Sequence, residues 1–388
     1  MQDDGYYLDH MASSPMLSVA LEAMWPWVVH GHANPSSPHD PGQQVRAAVE
    51  QARRRIAAVL GVQADELIFT ASGSEANNLA VKGLVLAGIQ QRPDVRRIIT
   101  TPLEHASTRA ACAYLARWHS VEVEEVAVDA YGLVCLDDLR QRLQRPATLC
   151  SIVLAHNEIG TVQPLAELAL CVAQAGIPLH IDAVQTLPWG APPLAALPIA
   201  AASFSGHKVG AGKGIGALYL RRGTAIEPLI HGGHQEQGRR GGTETVAQIV
   251  GLAAALQHLQ QQRWPSVARV AAQRQWLVEQ VLARCRTARL TGHPQQRLPG
   301  HASFLFPGLH GGAIQQGLNA HGVYCSGLAA CGGAEPPPQA LLALGVSPEE
   351  AQSALRIGLD GSLSDEQLAM VVRLIVAVVR EAQLLQTA

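Results

Sequence analysis

From residue 66 onward, short apolar runs punctuate longer stretches of helical spacing, and this alternation limits what the chain can build. Glu66–Thr70, Arg97–Thr101, Val121–Val128, Leu149–Ala155, Leu179–Asp182 and Ala201–Phe204 read as strands. Val45–Leu60 precedes them with apolar residues at helical spacing, arginines on the other face and Gly61 as its stop. Gly73–Ala87, Ser107–His119 and Leu165–Ala175 fall between the runs as helices. Strands separated by helices of this length pair in parallel, so the pattern predicts an α/β fold with a largely parallel sheet covered on both faces. Such sheets bind ligands at the carboxyl ends of their strands. Ser74, His105, Asn157, Asp182 and Lys208 all fall just past such ends.

The chain has 388 residues, enough for two domains. A helix over about Val246–Gln260 joins them. Beyond Arg263 the composition shifts to Gln- and Arg-rich helix and then to Gly- and Pro-rich loops. The expected division is a large domain at 14–258, and a smaller α+β domain from 1–13 and 259–388. The formal net charge is −2, with no basic block for a nucleic-acid surface. Only 15% of residues are charged, which suits surface buried between subunits. Seven cysteines, at 112, 135, 150, 171, 285, 325 and 331, form no metal-type Cys-x-x-Cys pair. They suit a reducing compartment, and no metal site is expected. The acidic start Met1–Asp9 lacks the features of a signal peptide, and no apolar run approaches the ~20 residues of a membrane span. These features predict a cytoplasmic protein.

Lys208 follows one strand and Asp182 follows the strand before it. A pyridoxal phosphate site needs that pair. The amine forms an imine with the aldehyde, and the carboxylate keeps the pyridine nitrogen protonated. Two rival readings of the glycine-rich run after Ser203 fail on spacing. A P-loop needs a glycine five residues before Gly212-Lys213 and a Ser or Thr after it, where His207 and Gly214 stand; a dinucleotide fingerprint after Gly210-x-Gly212 would need glycine where Ile215 stands. Phe69–Asn78 runs from a strand into a helix start, where free N–H groups and the Ser74 hydroxyl suit a phosphate. By itself, Ser72-x-x-Glu75 reads first as an ordinary capping box, and Lys208 downstream turns the reading toward a phosphate cup. His105 can stack on a planar ring or act as a cap, and Asn157 can reach a polar oxygen or serve the turn before Gly160. Gln185, three residues past Asp182, can share its face.

With these residues in place the chain resembles the cysteine desulfurases of the NifS/IscS type, within the class V aminotransferase group of fold-type I pyridoxal phosphate enzymes. The resemblance runs through Tyr7–Ala12, Asn34–His39, Thr70–Asn78, Glu104-His105, Asn157–Gly160, Asp182–Gln185, Ser203–Lys208, Gly232–Thr243 and Ala354–Arg356. It implies a mostly parallel seven-stranded sheet with a smaller α+β domain after it. It implies Lys208 as the imine lysine and later the Cα base, Asp182 on the pyridinium nitrogen, Gln185 on the ring hydroxyl, and His105 stacked on the ring. Gly73, Ser74, Ser205 and His207 would hold the phosphate. Thr243 would reach the phosphate of a neighbouring subunit in a homodimer. Arg356, with Asn34 and Asn157, would bind the substrate carboxylate, which a planar guanidinium suits. The implied reaction takes sulfur from L-cysteine, leaves L-alanine and an enzyme persulfide, and passes the sulfur to an acceptor protein such as an iron–sulfur scaffold.

The family pattern breaks at a cysteine-bearing loop, here about 324–338. Aligned without a gap, the family cysteine falls on Ala330, and Cys331 comes one place late. Two following glycines leave the backbone permissive. Cys331 is the first choice for sulfur acceptor; the next alternative is that neither thiol is catalytic, and Cys325 ranks after that. Asp360 also stands where the family carries a basic residue. A related cysteine or selenocysteine lyase without a thiol acceptor stays open as an alternative activity, as does a non-catalytic sulfur-trafficking partner.

Overall fold

Seven strands form one sheet in the computed structural model, which describes residues 5–327 and 337–387. They are β1 (Leu67–Thr70), β2 (Arg97–Thr100), β3 (Glu122–Glu125), β4 (Leu149–Val153), β5 (Leu179–Asp182), β6 (Ala201–Ser205) and β7 (Gly216–Leu220). Their spatial order is β1-β7-β6-β5-β4-β2-β3. From β6 to β3 every pairing is parallel, while β7 runs antiparallel to both β6 and β1. The one reversed strand brings β1 back into the common direction, so the carboxyl ends of β1, β4, β5 and β6 share one rim.

Leu67, Ile68, Ile98, Ile99, Leu149, Ile152, Ile181 and Phe204 are buried, as expected where helices cover both faces. The helices Gly73–Gln91 and Ala106–His119 pack together, with Ala76, Leu79, Ala80, Ala111 and Leu115 in their core. Asp40–Leu60 ends at Gly61, whose φ of +68° is the left-handed stop the sequence predicts. The helix Val246–His258 packs against Asp40–Leu60 and Ser18–His30.

A second, wholly antiparallel sheet has the order Ser326–Gly327, Ala354–Gly358, His301–Leu305, Arg289–Leu290. Helices Val267–Arg284, Gly311–Ala320 and Asp365–Thr387 surround it, and a separate core forms around Phe304, Phe306, Leu355, Ile357, Val371 and Ile375. The C-terminal apolar stretch lies in helix Asp365–Thr387, whose Val371, Val372 and Ile375 face this core. Tyr6–Tyr7 pairs in parallel with Val323–Tyr324, and Asp9 bridges to Gly358, so the start of the chain joins this second body.

Three local readings are corrected. The strand expected at Val121–Val128 covers only Glu122–Glu125; it is the sheet edge, with one neighbour and two exposed glutamates. β7 was absorbed into the glycine-rich run that precedes it. Helix Ser18–His30 was missed altogether: Pro26 lies inside it, and Leu21, Trp25, Val28 and Val29 are exposed, so it lacks an amphipathic signature.

Candidate active site

Nine of the residues singled out in the sequence border one cavity of about 240 Å³ at the carboxyl rim of the large sheet: Gly73, Ser74, His105, Asn157, Asp182, Gln185, Ser205, His207 and Lys208. A larger cavity, about 550 Å³, lies between helix Asp40–Leu60 and residues 234–244, and none of the nine borders it.

Asp182 is the last residue of β5 and is 4% exposed. A carboxylate so deeply buried needs donors. Val184 N–H reaches its Oδ1 at 3.0 Å, and Asn77 Nδ2 reaches its Oδ2 at 2.7 Å. Asn77 Nδ2 also donates to Ser107 Oγ at 3.1 Å, and Ser107 Oγ lies 2.7 Å from His105 Nδ1. That Nδ1 accepts Ser107 N–H as well, at 3.1 Å, so His105 caps its own helix. With Nδ1 serving as acceptor, the neutral ring carries its proton on Nε2. His105 itself is exposed toward the cavity mouth. His105 thus caps its helix and also borders the cavity.

Ser72 likewise caps a helix and borders the cavity. Its Oγ accepts Glu75 N–H at 3.1 Å, while Glu75 takes Ala71 N–H at 2.7 Å and Arg240 Nε at 2.9 Å. The first N–H groups of helix Gly73–Gln91 have no intrahelical partner and open on the cavity. Gly73 is needed there: a Cβ would stand 2.9 Å from Ser205 Cβ and 3.0 Å from Val184 Cγ2. The cradle closes only because that position has no side chain.

Lys208 follows β6 and is 9% exposed. Its Nζ donates to the carbonyls of Met11 and Ala12. Burial, with Arg356 nearby, pulls its pKa down to about 8, against the opposing pull of Asp9 and Asp182. Burial, then Lys208 and Lys213, lower His207 to about 4, so its ring is neutral at pH 7. Gln185 Nε2 donates to Met11 O at 3.0 Å, and Ser14 Oγ donates to Lys208 O at 3.1 Å. Residues 11–14 therefore cross the cavity as a strap.

Arg356 lies beside the cavity rather than in its wall. It sits in Ala354–Gly358, donates from Nη2 to Asp9 Oδ1 at 2.8 Å, and donates from Nη1 to the Asn157 carbonyl at 3.3 Å. Asn34 is exposed, and its Oδ1 accepts Ser36 N–H at 2.8 Å; it does not border the cavity. Thr243 is exposed and also lies off this cavity. Cys331 lies outside the described residues. Cys325 is 5% exposed, and burial with Asp9 nearby pushes its thiol up to about 12, far from a reactive thiolate. Asp360 answers to its own surroundings: Arg263 Nη2 is 3.1 Å from its Oδ2, and His10 Nε2 is 3.6 Å from its Oδ1.

Sequence reasoning missed five participants. Asn77 was quoted within a motif and given no role; its signal was an amide on the helix face shared with Gly73, Ala76 and Ala80. Glu104 sits beneath the rim with Oε1 accepting from Thr101 Oγ1 and Val153 N–H, both at 2.8 Å, and burial pushes its carboxyl up to about 8. The backbone carbonyls of Met11 and Ala12 have no side-chain signal at all. Asp9 meets Arg356 across 347 positions of sequence, a separation no local pattern reports.

The fold and this rim are those of the class V aminotransferases, and the description of that family, "Aminotransferase class-V", matches residues 6–368. The chain belongs to that family. Within it, the chain is 40% identical over 359 residues to an "IscS-like cysteine desulfurase" of Mycobacterium tuberculosis, covering 91% of each chain. It is 36% identical over 363 residues to "Cysteine desulfurase IscS" of Dictyoglomus turgidum, covering 93% of this chain and 91% of the relative. Among solved structures it resembles a "NifS-like protein" with a TM-score of 0.89 and 32% identity, covering 97% of this chain and 100% of the other. It also resembles "SspA in complex with cysteine", with a TM-score of 0.79 and 32% identity over 92% of this chain and 99% of the other.

Proposed function

We propose that the protein is a pyridoxal phosphate-dependent L-cysteine desulfurase that forms L-alanine and an enzyme-bound persulfide. The observation that carries this reading is one cavity bringing together a buried amine, a buried carboxylate and an open helix N-terminus. The fit to the cofactor rests on the same residues. Gly73 leaves a cradle that a Cβ would fill, Asp182 is a buried anion bordering the cavity, and Lys208 is a buried amine. When bound, pyridoxal phosphate supplies an electron sink conjugated to the substrate Cα.

The residues would divide the work as follows. Lys208 Nζ would hold the aldehyde carbon of the cofactor and would take up the substrate Cα proton. A pKa of about 8 leaves part of it unprotonated near neutral pH. Asp182 would balance the pyridine nitrogen, with Asn77 and Val184 orienting its carboxylate, and Gln185 would serve the ring hydroxyl. His105 would stack on the ring. Gly73, Ser74, Ser205 and His207 hold the phosphate, with Thr243 of a neighbouring subunit completing the shell in a homodimer. Arg356, with Asn34 and Asn157, receives the substrate carboxylate.

Cys331 accepts the sulfur: its thiol becomes a persulfide as cysteine becomes alanine. The depressed reactivity of buried Cys325 supports that choice. The acceptor of the persulfide is a separate protein, and the setting is the reducing cytoplasm; among the described residues no helix is long and apolar enough to cross a membrane. The division into 14–258 against 1–13 with 259–388 is supported by the separate core around Phe304, Ile357 and Val371, although Ala155 and Trp189 also pack into that core.

Mass spectrometry after exposure to L-cysteine tests the reading. One added sulfur atom on the peptide holding Cys331, removed by a reducing thiol, is expected. Unchanged alanine formation by Cys331→Ser would move the function to a lyase without a thiol acceptor. Borohydride treatment that leaves Lys208 unmodified would overturn the cofactor assignment.

A further inference from the structure

His301 belongs to the second sheet, is fully buried, and faces the active-site rim rather than its own core. Its Nε2 lies 3.0 Å from the carbonyl oxygen of Asn157, and its Nδ1 lies 3.3 Å from Arg297 Nη1. A guanidinium has only donors. Nδ1 is therefore the acceptor, and the ring proton sits on Nε2, aimed at Asn157. Arg297 is itself held by backbone carbonyls: Nε by His293 at 3.1 Å and Nη2 by Thr291. The ring has little room to turn. Gly160 has a φ of +78°, and a Cβ there would come within 2.4 Å of His301 Nδ1.

The carbonyl that His301 grips is shared. Arg356 Nη1 donates to the same oxygen at 3.3 Å, and its Nη2 is committed to Asp9. His301 and Arg356 thus converge on one peptide group, and the residue carrying that group lines the cavity. The backbone around it is stitched down as well: Leu298 N–H donates to Gly160 O at 2.9 Å, and Val162 N–H donates to Gln296 O at 2.9 Å.

We propose that His301 is a positioning residue for the substrate carboxylate: as an Nε2–H imidazole oriented by Arg297, it fixes the Asn157 peptide and through it the Arg356 guanidinium. This rests on the reading of Asn157 and Arg356 as substrate groups. Burial together with Arg297 and Arg356 keeps the ring neutral, which preserves one acceptor and one donor. Residues that orient the groups touching a ligand typically cost 10–100-fold when lost in metal sites, and a lower effect of about tenfold is expected for an organic substrate.

Three variants and one spectroscopic measurement test this. In His301→Leu, loaded with pyridoxal 5′-phosphate, KM for L-cysteine should rise about tenfold while kcat stays within about threefold. His301→Gln keeps an amide N–H near the Nε2 position and should return KM to within about threefold of the parent. His301→Asn is similarly polar but too short, and should behave like Leu; the Gln–Asn contrast decides the matter if Leu fails to fold. Long-range nitrogen-15 spectra of the unmodified chain, labelled at histidine and assigned through His301→Gln, should show a neutral Nε2–H ring. A cationic or Nδ1–H ring, an unchanged KM in His301→Leu, or Gln performing no better than Asn would each overturn the proposal. A parent protein that turns over no L-cysteine sinks the desulfurase reading instead, and the tautomer measurement then still decides the role of His301.

Discussion

The two sides of the cavity are built by different means. The floor consists of residues set at strand ends and one helix start: Asp182, Ser205, Lys208 and Gly73. Their positions follow from the sheet: Asp182 ends one strand and takes Val184 N–H from two residues on, and Asn77, from the helix that begins at Gly73, completes its bonding. The opposite side is the strap, backed by second-sheet residues that stand outside the cavity wall. It is held by contacts of long sequence separation: Lys208 to Met11 and Ala12, Arg356 to Asp9, and His301 to Asn157. The floor is set by topology, whereas the strap side depends on a few polar ties. Damage to the floor should therefore abolish chemistry, and damage to the strap should shift binding.

The largest test of that contrast is Asp182→Asn. Replacing the anion by an isosteric amide should lower kcat/KM for L-cysteine by about 10²–10³-fold with the fold intact, measured as alanine formation. A loss below tenfold would mean that the floor does not control the chemistry.

Glu104→Gln probes the floor through stability. The carboxyl is held at about 8 in the folded chain, against an ordinary 4.5. Below pH 4.5 both states keep the proton. Between pH 4.5 and about 8 the unfolded chain releases it and the folded chain does not, so rising pH costs stability, at up to ~1.4 kcal/mol per pH unit. Glutamine lacks that proton. Its stability relative to the parent should climb through this window and level off above it, as followed by urea unfolding at pH 5, 6.5 and 8. A difference independent of pH would show that Glu104 is ionised in the fold.

Gly73→Ala should cost about 1–3 kcal/mol, because the new methyl group meets Ser205 and Val184. Cofactor affinity should fall with it, as read by titration of the visible absorbance. On the strap side, Asp9→Asn weakens one partly exposed ion pair and should cost about 1 kcal/mol. Its main effect should be a severalfold change in KM with kcat nearly unchanged. If Asp9→Asn instead abolished turnover, the division between floor and strap would be wrong.

The legibility of the sequence follows the same division. Asp182, Lys208, His105 and Ser74 each follow a recognisable strand, and strand ends are where such sheets gather their chemistry. The glycine-rich run hid β7, since a strand of only five residues directly after four closely spaced glycines gives a weak apolar signal. Arg356 was legible as a functional residue only through resemblance, and its partner Asp9 was not legible at all. The pairing that joins them passes through two sheets and a bridge at Gly358. His301 looked like one histidine among sixteen. Its importance lies in which carbonyl it faces, and that is a property of the packing.

The reversal of β7 has a consequence for biosynthesis. β1 has a single neighbour in the sheet, and that neighbour is not made until residues 216–220. While the ribosome adds about 150 residues, Leu67, Ile68 and Phe69 wait without the strand that will shelter them. A nascent chain emerging from its N-terminus first must keep that apolar edge from straying. Within the large sheet, the earliest strand to be synthesised is thus among the last to be seated, and the cavity-lining turn after it takes shape only once more than half the polypeptide exists.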